Sequence, residues 1–213
     1  PYLILGKSRG TSIGSDTAVQ DNDQLGQIAF VGADGTDRVT PGARIFARVN
    51  GTPGSNDLPT ELVFETTADG ASATTERMTI DSSGNVGIGT SSPDGTLHVH
   101  TATSGSVSAH GDADDLVVEN SASGGISILT PDSGYGALFF GSPSDSIGAQ
   151  VSYRQSSTEM LIGTRLSGGI LKLRTADGTD ALTIDASQNV GIGTTSPADV
   201  LHIVSASDGG ATE

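Results

Sequence analysis

His98-Val99-His100 is where two imidazoles of this chain are spaced to act together. Residues i and i+2 project from the same face of a strand. If three chains met in parallel about an axis, three such pairs would present six imidazoles, an octahedral donor set for a transition metal. Against this axial site at His98 and His100, Leu97 and Val99 claim the inner face, and the related stretch later in the chain has Val204 where His100 would recur. Solvent-facing histidines are therefore the expected arrangement, with no metal and no cofactor. Asp21-Asn22-Asp23 followed by Gly26 opens like a calcium loop, but the twelfth position, which needs a Glu, is Gly32. A surface turn is expected there.

Carboxylate pairs cleave glycosidic bonds, so the 25 acidic residues need an account. Asp34, Asp69, Asp81, Asp177 and Asp185 stand in turn contexts, where a short carboxylate serves its own backbone. Aromatic platforms for sugars are scarce, with three Tyr, five Phe and no Trp. Cysteine is absent and only four His are present, so no Cys-His or Ser-His-acid grouping can be argued. No enzymatic activity is expected.

The elements that carry these residues occur twice. Thr79 to Pro93, TIDSSGNVGIGTSSP, returns as Thr183 to Pro197, TIDASQNVGIGTTSP, at a constant offset of 104 that persists through Leu97-His98-Val99 and Leu201-His202-Ile203. Weaker correspondences extend upstream with offsets that drift: Leu3, Ser8 and Ile13 match Leu116, Ser121 and Ile126 at 113, and Ala68-Asp69-Gly70 matches Ala176-Asp177-Gly178 at 108. Drift of this kind is what short insertions in turns produce. Two modules follow, 1–104 and 105–213. A long repeat points to architecture rather than chemistry.

Both modules read as strands. Leu62-Val63-Phe64, Leu116-Val117-Val118 and Ile170 to Arg174 are short apolar or alternating runs bounded by turn residues. Ala149 to Ile162, the longest stretch free of Gly and Pro, is the best helix candidate, but without a clear 3.6-residue stripe it reads as two strands about a Gln155-Ser156-Ser157 turn. In the repeated motif, Val86 and Ile88 share one strand face while Gly87 and Gly89 take the other, so a second backbone is expected to come close. We expect that backbone to belong to another subunit at a three-fold axis; the alternative is a tight crossing within one chain.

Composition agrees with an oligomer. Leu, Ile, Val and Phe sum to 48 of 213 residues, near the level at which chains stay disordered, so a lone module would bury a thin core. A formal charge of −15 argues against nucleic acid as a partner, since phosphate binding needs clustered Lys and Arg. Apolar runs of about five residues are far short of the ~20 that span a bilayer, so no membrane insertion is expected. The opening Pro1-Tyr2-Leu3 and the closing turn-like Ser207-Asp208-Gly209-Gly210 read as an internal piece of a longer polypeptide.

The run Glu76 to Thr90, ERMTIDSSGNVGIGT, resembles the repeats of bacteriophage tail fibres, especially those of marine phages. So does Asn50 to Asp57 followed by Leu62-Val63-Phe64 and Thr67 to Gly70. The resemblance covers nearly the whole chain. It implies an intertwined homotrimeric, all-β fibre of tandem repeats, β-prism or triple-β-helix-like. Such a fibre is a virion component that adjoins other fibre segments or virion proteins and reaches a host surface glycan or protein. Fibres of this type often end in an endosialidase-type intramolecular chaperone, which nothing in this chain resembles. Related repeats in bacterial surface or secreted adhesins make an adhesin the second reading, and a polysaccharide-degrading tailspike module is the third. Metal analysis of the purified protein, with His100→Ala as control, is expected to find no bound metal; stoichiometric metal lost in the variant would establish the axial site.

Overall fold

The computed structural model describes residues 1–176 and 178–205. The Asp177-Gly178 turn signal, which rests on Asp177, and the closing Ser207 to Gly210 turn lie outside the described residues. The chain is all-β. It divides into two compact units, Pro1–Ile126 and Ser127–Glu213.

The first unit holds one sheet of seven strands in sequence order: β1 (Gln24–Val31), β2 (Pro41–Val49), β3 (Thr60–Thr67), β4 (Thr74–Ile80), β5 (Val86–Ile88), β6 (Leu97–His100) and β7 (Leu116–Glu119). Pairing is antiparallel from β1 to β5 and parallel from β5 to β7. The second unit holds β8 (Tyr135–Ser142), β9 (Asp145–Arg154) and β10 (Glu159–Thr164) as one antiparallel sheet. A second sheet there contains β11 (Leu171–Thr175), β12 (Thr179–Ile184), β13 (Val190–Ile192) and β14 (Leu201–Ile203). The sequence repeat turns over at 104–105, whereas the compact units divide after Ile126. The reason is β7, which opens the second repeat in sequence but pairs with β6 at the close of the first.

The Ala149–Ile162 stretch forms two strands as expected. β9 and β10 are joined by a single 3-10 turn at Gln155–Ser157, closed by Thr158 at φ 54°. The expected aspartate turns also form. Asp81 Oδ1 accepts the amides of Ser83 (2.8 Å) and Asn85 (2.9 Å), and Asp185 Oδ1 accepts those of Ser187 and Asn189 (both 2.9 Å). Each loop thereby satisfies its own backbone without help from the rest of the fold. Donation by Asn189 holds the Asp185 carboxyl below the ordinary aspartate range. Register recurs with the sequence: Thr79↔Gly87↔His98 in the first unit is matched by Thr183↔Gly191↔His202 in the second.

Strand alternation splits the seven-stranded sheet into two unlike faces. One carries the row Phe46↔Val63↔Thr79↔Gly87↔His98, every member of which is buried. Ion pairs flank this row: Arg44 Nε donates to Glu65 at 2.7 Å, Arg48 pairs with Glu61, and Arg48 Nη2 lies 3.2 Å from Glu76. The guanidinium carbons of Arg44 and Arg48 sit 5.5 and 5.7 Å from the Phe46 ring centroid, so the cations cover the ring. The opposite face is apolar across the sheet, along Ile28↔Ile45↔Phe64↔Met78↔Ile88↔Val99↔Val118. Nothing in the unit seals it: Ile28, Ile88 and Val118 are exposed and the others on this row are half-buried.

The repeated glycines are explained within the chain, which corrects the expectation of another subunit's backbone against them. A Cβ on Gly87 would strike the Thr90 carbonyl oxygen, and one on Gly191 the Thr194 carbonyl oxygen. Gly89 and Gly193 have φ of +80° and +72°, and a Cβ there would strike the His100 and Val204 carbonyl oxygens. The loop after β5, and the backbone at the end of β6, come this close because no side chain stands between. Gly84 is different: φ is +88°, the space around it is open, and its counterpart Gln188 adopts φ 70°. Gly89→Ala is therefore expected to cost more than the ~1–2 kcal/mol of left-handed strain alone, and Gly84→Ala no more than that strain. Chemical denaturation of the two variants, read against the parent chain, checks the order.

Candidate functional site

β6 places the two histidines on the polar face, between β5 and β7. Gly87, the register partner of His98, adds no side chain, so the Thr90–Thr96 loop folds over this part of the sheet. The Asp94 amide then donates to His98 Nδ1 at 3.2 Å. The second repeat does the same, with the Ala198 amide donating to His202 Nδ1 at 3.2 Å. His98 is thus not solvent-facing as expected but 2% exposed. His100 is partly covered, with Nδ1 3.2 Å from the Gly89 carbonyl, to which it donates. The two rings meet edge-on at 5.6 Å between centroids.

Both imidazoles converge on Glu119, at the end of β7. Glu119 Oε2 lies 3.1 Å from His98 Nε2 and 3.8 Å from His100 Nε2. The His98 contact is off the N–H direction and makes no hydrogen bond, so the attraction there is electrostatic. Glu119 Oε1 accepts the Ser104 amide at 2.6 Å and the Ser104 hydroxyl at 3.1 Å. The amide bond leads in holding this carboxyl below the ordinary glutamate range; burial opposes it, and the nearby His100 charge adds to it.

Asp94, His98 and Glu119 each bring one ligand atom within 4.8 Å of the others, so these three are the residues placed to hold a cation. The donor set argues for another use. A neutral imidazole that accepts at Nδ1 carries its proton on Nε2, which leaves His98 no lone pair toward Glu119. Ligation through Nε2 would require moving that proton to Nδ1 and giving up the Asp94 amide. The arrangement ties a loop, a strand and the next strand together.

Sequence reasoning singled out His98 and His100 and missed Glu119, which lies 19 residues beyond His100. Its only local signal is its place at the end of Leu116-Val117-Val118. The calcium-like Asp21-Asn22-Asp23 forms the expected turn: Asp21 and Asn22 are exposed and the Asp23 amide donates to the Gln20 carbonyl at 3.0 Å. The Asp23 side chain is nevertheless buried, clamped by Arg9 (Nε 2.6 Å, Nη2 2.9 Å), Lys7 Nζ (3.1 Å) and the Gln20 amide (2.9 Å). These donors, Arg9 foremost, hold its carboxyl well below the usual range, and they occupy the oxygens a calcium ion would need.

No protein-family model and no curated protein matches the sequence. Solved structures do match. The carboxy-terminal domain of the bacteriophage T5 L-shaped tail fibre, solved with its intra-molecular chaperone domain, matches with a TM-score of 0.51 at 13% identity, over 100% of this chain and 66% of that one. The fold is shared with a phage tail fibre domain. The present chain spans just under two thirds of that structure's length. A second structure of the same T5 carboxy-terminal domain has a TM-score of 0.46 at 12% identity, over 100% of this chain and 99% of that one. Among the described residues, no helix is long and apolar enough to cross a membrane.

The lowered Glu119 ionisation has a signed consequence. A carboxyl whose folded value is depressed contributes stability above its unfolded value, near pH 4.3, and loses it as pH falls through the folded value. The parent chain is expected to unfold at a higher temperature than Glu119→Gln near neutrality, with the gap narrowing as pH falls below the ordinary glutamate range. Thermal unfolding of both across that range checks it, and a gap independent of pH would remove the charge from the account.

Proposed function

We propose that this chain is a non-catalytic structural segment of a phage tail fibre, of marine-phage type, that works as a homotrimer in the virion. It serves as shaft or receptor-binding arm and mediates host attachment by a mechanical and multivalent route. Three chains set spacing, rigidity and reach, and weak surface contacts gain strength through repetition.

The observation that carries the reading is the uncovered apolar face of the seven-stranded sheet, in a fold shared with a phage tail fibre domain. Apolar surface repays burial at about 25 cal/mol per Å², and continuous patches of this kind mark association sites. The sheet's other face is already closed by Arg–Glu pairs, so association is directed to one side only. The net charge of −15 suits a solvated outer surface that resists clumping.

Size-exclusion chromatography with light scattering tests the proposal. The expected mass is three times the 21.3 kDa of one chain, and a stable monomer would overturn the trimer. Ile88→Asp, on the apolar face, is expected to break the assembly, because a buried side chain of this size contributes about 1.5–3 kcal/mol in each of the contacts it enters. An unchanged mass for this variant would place the contact elsewhere.

A further inference from the structure

Asn50-Gly51 is the one Asn-Gly pair of this chain, and Asn-Gly is the dipeptide most prone to close on itself. The Gly nitrogen, with no Cβ beside it to obstruct the approach, attacks the Asn side-chain carbonyl carbon. A bond forms between the Gly nitrogen and Asn Cγ, and ammonia leaves with the proton that the nitrogen gives up. Water then opens the cyclic imide at either carbonyl. The product is Asp, or isoAsp with an extra methylene in the backbone. Either way, an amide that donates and accepts becomes a carboxylate that only accepts.

Both reacting groups are held elsewhere. The Gly51 amide donates to Asp21 Oδ1 at 2.8 Å. The Asn50 side chain is engaged at both ends: Nδ2 donates to Glu61 Oε2 at 3.3 Å, and Oδ1 accepts the Ser82 hydroxyl at 2.8 Å. Its backbone amide donates to the Pro59 carbonyl at 3.0 Å. Attack requires the Gly51 nitrogen to lose its proton and turn toward Asn50 Cγ. A charge-assisted bond to Asp21 opposes both steps. Asp21 is fixed in turn: its Oδ2 accepts Asn22 Nδ2 at 3.0 Å, the Asn22 amide donates to the Val49 carbonyl at 2.9 Å, and the Val49 amide to the Asp23 carbonyl at 2.9 Å. The Asp21-Asn22-Asp23 turn, whose calcium-like spacing holds no ion donor set, thus grips the chain where β2 ends.

We propose that Asn50 is a latent site of self-modification by deamidation, kept closed by the Asp21 carboxylate and opened whenever the 21–23 turn leaves the end of β2. The conversion runs one way. A carboxylate at position 50 loses its donation to Glu61 and faces it as a like charge. Glu61 is only 3% exposed, so the repulsion is weakly screened, and the modified chain does not regain its original contacts. The site is built from contacts within one chain, so it stands or falls separately from the three-chain packing.

Peptide mass mapping after incubation in mildly alkaline buffer reads the conversion as the mass gain of an amide-to-acid exchange, and separation of the Asp and isoAsp peptides identifies the imide route. Asn50 in the folded parent chain is expected to convert more slowly than in the denaturant-unfolded chain by about tenfold or more, the factor that a hydrogen bond to a charged group supplies. Asp21 is exposed and lies outside the strands. Asp21→Ala is expected to raise the folded rate by about the same factor with its unfolding curve unchanged. Asp21→Asn, which keeps an acceptor for the Gly51 amide, is expected to stay close to the parent rate, and so separates loss of the bond from a general loss of folding. Equal rates in the folded and unfolded parent, an Asp21→Ala rate no faster than the parent's, or an Asp21→Asn rate as fast as that of Asp21→Ala would overturn the proposal.

Discussion

A single-layered sheet has two faces, and its own loops and side chains can close only one of them. In the first unit the closed face is the one with the Phe46–His98 row. There Arg44 and Arg48 lie over an aromatic ring while reaching Glu65, Glu61 and Glu76. Charged side chains succeed as a cover because each is paired and its apolar stem lies along the sheet. The other face, with Ile88, Val99 and Val118, is left as a strip that only another surface can bury. The first unit's sheet depends on this asymmetry: it separates a face closed by paired charges from an apolar face that the unit itself leaves open.

The repeated segment is where the sheet changes from antiparallel to parallel pairing, and its uniformity follows from that task. The return from β5 to β6 must cross over the strands, and it does so on glycine. Gly87 lets the Thr90 carbonyl descend, and Gly89 lets the His100 carbonyl approach. His98 then holds the crossing loop by accepting the Asp94 amide, and His202 repeats that contact with Ala198. The motif is thus a hydrogen-bonding unit, with an Asx loop before β5, two contact glycines after it and an imidazole acceptor on β6. Where the copies differ at Gly84 and Gln188, both residues adopt the same left-handed conformation, so the loop keeps its path.

Glu119 adds a second level. By facing both His98 and His100 it ties β7 to the strand before it, across the boundary of the sequence repeats. The second repeat keeps the loop-holding histidine but has Val204 at the position of His100. The loop contact is therefore common to both copies, whereas the triad around Glu119 belongs to the place where one repeat meets the next.

Local features were legible from the residues alone. The aspartate loops at Asp81 and Asp185, the two strands about Gln155–Ser157 and the shared register of β4–β6 and β12–β14 all followed from patterns a few residues long. The reason is physical: an Asx loop satisfies its backbone within four residues, and a strand's two faces are written in its alternation. What only the tertiary structure decided concerns partners far apart in the chain. Asp23 closes the expected turn, but its side chain met Arg9 and became buried. His98 met Asp94 and Glu119 and lost the solvent it was expected to face. The close approach at Gly87 and Gly89 came from the chain's own carbonyls. In each case the sequence named a residue able to make a strong contact, but the partner depended on which strands lay side by side, and pairing between distant segments leaves no local trace.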